Sequence, residues 1–195
     1  MLASGSPRRR EILTRLNIRF TVTVPDVDET PTPNEDPAAY VERLARGKAE
    51  AVATRPEHNG QIILAADTTV ALAGIILGKP ADGPDAMVML RALSGRRHQV
   101  HTGVAVVGPN GTTSSVTTTD VTFRPLDHDE IAAYVATGDP LDKAGAYGIQ
   151  GEAGRFVATL RGSASNVVGL PVAQTMALLA AAGIDAMTWG PPRRP

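Results

Sequence analysis

Ser4-Gly5-Ser6-Pro7-Arg8-Arg9-Arg10 gathers the parts of an anion site into one short stretch. Pro7 opens a predicted helix, because its missing N–H costs nothing at the first helical position, and Ser6 before it is a good N-cap. The arginines then fall in the first turn, where the helix dipole and unpaired backbone N–H groups already make the surroundings positive. A bound anion resolves that conflict. A Ser-Gly-Ser turn, free helix N–H groups and guanidinium forks together describe a phosphate cradle. The plain alternative is a capped surface helix with solvated arginines.

The second chemical signal is Asp67, within the run QIILAADTTVAL from Gln61 to Leu72. A carboxylate between two apolar, β-rich stretches is costly to bury unless it binds something. An Asp at a strand end is a usual mount for a metal or a general base, and a turn-capping Asp is the bland alternative. The acidic, proline-rich segment from Pro25 to Pro37 adds Asp26, Asp28 and Glu29; either all are solvated or one faces a metal. Lys79 belongs to no P-loop, since no G-x-x-x-x-G-K-[ST] string occurs, and this disfavours ATPase chemistry of that type. His98 and His101 lie three apart on a predicted strand, so they point to opposite faces, which argues against a shared metal.

These residues must be carried by a framework that the pattern predicts as follows. The first helix sets Ile12, Leu13 and Leu16 on one face, and a strand runs from Phe20 to Val24. A second helix, Pro37 to Ala53, spaces Tyr40, Val41, Leu44 and Ala45 for a core, and nothing there separates Lys48 from Arg43 and Arg46. A strand covers the Asp67 run, Ile75 to Leu77 returns after a turn at Ala73-Gly74, and Pro84 to Leu93 is helical. Gln99–Val107 and Thr113–Phe123 form a hairpin across Pro109-Asn110-Gly111, and Gln99 to Gly111 holds no polar cluster that calls for a functional explanation. Asp127 with Glu130 reads as a capping box for a helix ending at Thr137. Gly138 to Gly151 is a long glycine-rich loop, and loops of that length in a compact domain are functional or disordered; its apolar residues argue against disorder. A strand from Arg155 to Arg161, a turn over Gly162–Asn166 and a helix from Pro171 to Ala182 complete the order. Strands and helices alternate before a hairpin, so the fold class is α/β with a mixed sheet, and a cleft between two lobes would gather the polar clusters.

Composition limits the partners. With 195 residues and 43% hydrophobic content, the chain can bury one core, and it reads as a single domain with a peripheral tail from about residue 186. Nineteen Lys and Arg against 20 Asp and Glu give a net charge of −1, so any anion site is local and there is no global pull toward nucleic acid or membrane. No cysteine is present, which excludes disulfides and cysteine nucleophiles and fits a reducing compartment. No signal segment or membrane-length apolar run is found, so a cytoplasmic protein is expected. Aromatics at 4% are too few for base-stacking platforms on single-stranded nucleic acid.

Five strings, in order, bring a resemblance into view: Ser4-Gly5-Ser6-Pro7-Arg8-Arg9, Ala66-Asp67-Thr68, Leu77-Gly78-Lys79-Pro80, Leu93-Ser94-Gly95, and Asp142-Lys143-Ala144-Gly145-Ala146-Tyr147-Gly148-Ile149-Gln150-Gly151. Together they resemble the Maf family of nucleotide pyrophosphatases, from Met1 to about Ala182. The Tyr-Gly-Ile-Gln-Gly string resembles the branch acting on dTTP and UTP. Only Met1 to Ala3 precede the serine turn, shorter than the family's usual first strand.

The resemblance implies a two-lobed α/β fold like that of inosine-triphosphate pyrophosphatases, with the active-site cleft between lobes. It implies a hydrolase that cleaves dTTP and UTP to the monophosphate and pyrophosphate as a housecleaning activity, using a divalent cation, Mg²⁺ or Mn²⁺. Asp67 corresponds to the catalytic carboxylate, and Ser4, Arg8, Arg9, Lys48 and Lys79 to phosphate contacts. Asp67 and Glu29 correspond to acidic positions at the metal. Arg8, Thr68 and Gln150 correspond to positions that set base preference, while Asp142 and Lys143 fall in a cleft motif. Dimerisation is expected from the resemblance alone. The family's link to septum formation supplies a second reading, a non-catalytic nucleotide-binding regulator of cell division. The residues agree with the first, because a triphosphate carries about four negative charges that cations must neutralise before water approaches phosphorus. Asp67 could hold the metal or take the proton, and Gln150 offers both a donor and an acceptor to a pyrimidine edge.

Overall fold

A computed structural model describes residues 1–184, and the expected tail lies outside them. The chain builds one mixed seven-stranded sheet in the order β2-β1-β3-β5-β6-β7, with β4 also on β3. The strands are β1 (Leu2–Ala3), β2 (Val22–Thr23), β3 (Ile63–Leu72), β4 (Ile75–Leu77), β5 (Arg97–Gly108), β6 (Gly111–Phe123) and β7 (Val157–Arg161). The helices are α1 (Pro7–Arg15), α2 (Pro37–Ala53), α3 (Gly83–Leu93), α4 (His128–Ala136), α5 (Ala164–Val168) and α6 (Val172–Ala181). The mixed α/β class expected from the element order is what the sheet has: β1 runs parallel to β2 and β3, and the remaining pairs are antiparallel.

Period-two alternation in β3 sorts its side chains onto two layers. Ile63 and Ala65 pack with Ala45, Ala49 and Val52 of α2. Leu64 and Ala66 pack on the other face with Leu13 of α1 and Leu179 of α6. A third core joins Leu90 and Leu93 of α3, Ile131 and Tyr134 of α4, Phe123 and Phe156. The β5–β6 hairpin closes at Gly108–Gly111, the turn that Asn110-Gly111 announces, with Gly111 at φ 91°. His98 and His101 point apart as expected: His98 meets Tyr147, and His101 meets Thr118.

Three local expectations are corrected. The segment read as a turn at Gly162–Asn166 starts α5, capped by Ser163 accepting from the Asn166 N–H. The strand expected from Arg155 begins at Val157, because Glu152–Phe156 coils into a 3₁₀ turn that buries Ala153 and Phe156. The Asp127 cap forms, accepting from Glu130 N–H at 2.7 Å, but the Glu130 carboxylate turns to Arg124 instead of completing a box. The long loop after Thr137 is folded into 3₁₀ turns at Asp139–Asp142 and Ala144–Ala146, and Ala146 and Tyr147 enter the core.

Candidate active site

The site exists because β3 has a gap along one edge. β1 pairs with Leu64 and Ala65, and β4 pairs with Val70 to Leu72, so among the described residues Ala66–Thr69 have no strand neighbour on that side. A cleft of about 860 Å³ opens there, a volume suited to a nucleotide-sized ligand. Ser4, Arg8, Arg9, Glu29, Lys48, Asp67, Thr68, Lys79, Asp142, Lys143 and Gln150 all line it. Every site residue that the resemblance implies therefore lines one cavity; of the three loop carboxylates Glu29 lines it, and Asp26 and Asp28 do not. Asp67 does so from the middle of β3, not from the strand end that the sequence suggested.

Asp67 and Thr68 leave opposite faces of β3. On the α2 face the Lys48 ammonium lies 2.5 Å from Asp67 Oδ1 and 2.6 Å from Glu29 Oε1. Lys48 is buried, as is Asp67, while Glu29 is half exposed. Burial opposes ionisation of Glu29. The Lys48 hydrogen bond and the charges of Lys48, Lys79 and Arg9 outweigh it and hold the carboxyl below its ordinary value. Tyr40 closes this corner by donating to the Glu29 carbonyl at 2.9 Å; burial, then Asp67 and Glu29, push its phenol up to about 12.

Gly103, paired with Asp67 across β5, lets α2 come so near. A Cβ there would stand 2.3 Å from the Val41 carbonyl oxygen, inside any real contact distance.

On the other face Arg9 braces the wall. Its Nε donates to the Gly169 carbonyl at 2.8 Å, Nη1 to Ser4 Oγ at 3.2 Å, and Nη2 to Thr68 Oγ1 at 3.1 Å. Of the five N–H groups of a guanidinium, two remain for an anion. Burial lowers the Arg9 pKa and Asp67 pulls it back up; the side chain stays charged. Ser4 Oγ accepts from both Arg9 and the Ser6 N–H, which leaves its own proton to offer into the cleft. Ser6 caps α1 through the Arg9 N–H, as the sequence indicated.

At the mouth, Arg8 lies 3.5 Å from Asp142 in a solvated pair of small energetic weight. Lys143 is tied to the Asp139 carbonyl at 2.6 Å, Asp139 Oδ1 at 3.0 Å and Asp142 Oδ1 at 2.6 Å. Tyr134 donates to Asp139 Oδ2 and accepts from Gly148 N–H, which fixes the segment leading to Gln150. Sequence reasoning missed Thr102, Asn166, Asp139 and Tyr40; the partners of Thr102 and Asn166 are distant in the chain, whereas Asp139 bonds to Tyr134 and Lys143 nearby. Thr102 lies inside β5, in the Gln99–Gly111 stretch whose sequence shows no polar cluster that calls for a functional explanation. An i,i+2 or helical pattern could not have revealed it, although its polarity at a fully buried strand position is a signal.

Glu29 and Asp67 suit a hard divalent cation, because both offer carboxylate oxygen to one point, now taken by Lys48 Nζ. No group of three or more acidic, histidine or cysteine side chains placed for a metal occurs among the described residues, so water and phosphate oxygens would complete the ligand set, as is usual for Mg²⁺.

An α/β protein with an acid-bearing, cation-lined cleft at a sheet-edge gap is the class defined by this geometry. The chain belongs to the Maf-like protein family, whose profile matches residues 1–182. A protein of Myxococcus xanthus named dTTP/UTP pyrophosphatase is 56% identical over 184 residues, covering 94% of this chain and 92% of its own. Relatives with the same name from Anaeromyxobacter dehalogenans and Hahella chejuensis are 52% and 50% identical, covering 98% and 94% of this chain and 97% and 92% of theirs. A solved structure, the Staphylococcus aureus Ham1 protein, has 19% identity and a TM-score of 0.45 over 63% of this chain and 70% of that one.

Proposed function

We propose that this chain hydrolyses dTTP and UTP to the nucleoside monophosphate and pyrophosphate. The observation that carries the reading is the convergence of one buried carboxylate, Asp67, with Arg8, Arg9, Lys48 and Lys79 in a single cleft. Three phosphates need neutralising charge from several directions, and those cations line the cleft from α1, α2 and the segment that follows β4. The names carried by relatives about half identical over nearly the whole chain support the same substrates.

In the proposed reaction a water oxygen bonds to the α-phosphorus while the bond from that phosphorus to the bridging oxygen breaks. Pyrophosphate leaves with the electron pair. Asp67 receives a proton of the water through Oδ2, since Oδ1 faces the point shared with Glu29 that Lys48 occupies in the structure. Ser4 donates its free hydroxyl proton to a phosphate oxygen, and the two unused N–H groups of Arg9 do likewise. Glu29 and Asp67 would hold a divalent cation, which would supply charge neutralisation on the phosphates. Before substrate arrives, Lys48 holds the two carboxylates in place.

The test is Asp67→Asn, a variant that keeps the shape and removes the base. It should lower pyrophosphate release from UTP by about a thousandfold or more, while nucleotide binding survives. Undiminished turnover in that variant would refute the proposed role.

A further inference from the structure

We propose that Thr102 is a positioning residue that fixes the hydroxyl of Thr68 as an acceptor, so that the site selects pyrimidines carrying a proton on N3. The proposal rests on the pyrophosphatase reading and adds to it the device that chooses the base.

The direction of every hydrogen bond in this network is set by counting protons. Thr102 Oγ1 is 2.9 Å from the Asn166 backbone carbonyl, which can only accept, so the single Thr102 proton lies there. Thr102 Oγ1 is also 2.9 Å from Thr68 Oγ1, and with its own proton committed it can only accept from Thr68. The Thr68 proton is thereby used. Arg9 Nη2 donates to the same Thr68 oxygen at 3.1 Å. One lone pair and no proton remain on Thr68 Oγ1 for a ligand. Thr68 lines the cleft together with the uncharged side chains of Val100, Val167 and Val168.

The far end of the network cannot rotate to release this arrangement. Asn166 Nδ2 donates to the Val100 carbonyl and to Thr119 Oγ1, both at 2.9 Å; flipping the amide would set its oxygen against that carbonyl. Thr119 in turn donates to the Ser163 carbonyl. Thr102, Thr119 and Asn166 are fully buried, where solvent cannot substitute for a lost partner.

A uracil or thymine ring joined to its sugar at N1 has one edge donor, N3–H. An acceptor-only hydroxyl takes that proton. Cytosine in the same pose presents an N3 lone pair to the Thr68 lone pair, and the contact turns repulsive.

The experiment measures kcat/KM for UTP, dTTP and CTP with the wild-type protein, Thr102→Val and Thr102→Ser. The wild type should favour UTP over CTP by about a hundredfold or more, since a mismatched polar contact in a closed site discriminates strongly. Thr102→Val frees the Thr68 proton, so the preference should narrow about tenfold through a rise with CTP, a gain that mere structural damage does not produce. Thr102→Ser should restore the wild-type ratio. A wild type that takes CTP as readily as UTP, or a folded Thr102→Val with an undiminished ratio, overturns the proposal. If Thr102→Val does not fold, Thr68→Val decides: about tenfold of the preference disappears, or the proposal is wrong. Absence of UTP and dTTP hydrolysis in the wild type would instead remove the pyrophosphatase reading itself.

Discussion

Asp67 and Thr68 are neighbours in one strand, yet the two faces they serve are held by different physics. The Asp67 face is an electrostatic assembly: Lys48 from α2 bridges two carboxylates, 2.5 Å from Asp67 and 2.6 Å from Glu29 of the preceding loop. The Thr68 face is a chain of directed hydrogen bonds through Arg9, Thr102 and Asn166, and none of its hydroxyl or amide members titrates. Charge neutralisation and bond breaking need mobile protons and strong fields, whereas choosing a base needs fixed donor and acceptor directions. One β-strand supplies both because alternate side chains point to opposite layers.

If charge holds the first face, removing the ammonium should damage it most. Lys48→Met leaves Asp67 buried without compensation and is expected to cost about 4 kcal/mol of stability. Chemical denaturation checks this, and the double variant with Asp67→Asn should recover much of the loss. A purely additive double variant would mean that Lys48 acts by packing. Next in size is Gly103→Ala, whose methyl would meet the Val41 backbone and push α2 away. We expect about 2 to 3 kcal/mol from such overpacking, with a loss of turnover because Lys48 rides on the same helix. A crystal structure of that variant should show α2 displaced.

The Thr68 face should respond differently. Arg9→Lys keeps the charge but cannot reach Ser4, Thr68 and Gly169 together, since an ammonium lacks the planar fork. KM for UTP should rise about thirtyfold, roughly 2 kcal/mol, with a smaller change in stability than Lys48→Met. Steady-state kinetics and thermal unfolding separate the two effects.

What the sequence disclosed follows the same division. Ser4 to Arg9 stood out because capping chemistry and charge conflict within one turn, and Asp67 because a carboxylate interrupts an apolar run. Both signals are local. Lys48 was indistinguishable from its helix neighbours because its burial depends on α2 lying across Gly103, a contact between residues 19 to 62 positions apart from the groups involved. Thr102 and Asn166 were silent for the same reason: their bond spans 64 residues, and α5 itself was mistaken for a turn. The mixed sheet was legible from alternation and the Asn-Gly hairpin, whereas the gap in the β3 edge arises from pairing lengths that no single segment encodes.

Acid offers the finest distinction between the faces. The Glu29 carboxyl titrates below its ordinary value of 4.5, because Lys48 and its neighbouring cations outweigh burial. The unfolded chain therefore binds a proton at a pH where the folded protein still resists it, and the contribution of Glu29 to stability is complete above that ordinary value. It should fade as the pH falls through the lowered folded value. Half exposure of Glu29 keeps the effect small. Glu29→Gln should flatten the corresponding part of the stability profile below pH 4.5, measured by denaturant midpoints across acid buffers. Thr68→Val should leave that slope unaltered, because no group on its face changes charge there. An equal loss of slope in both variants would show that the two faces share their electrostatics after all.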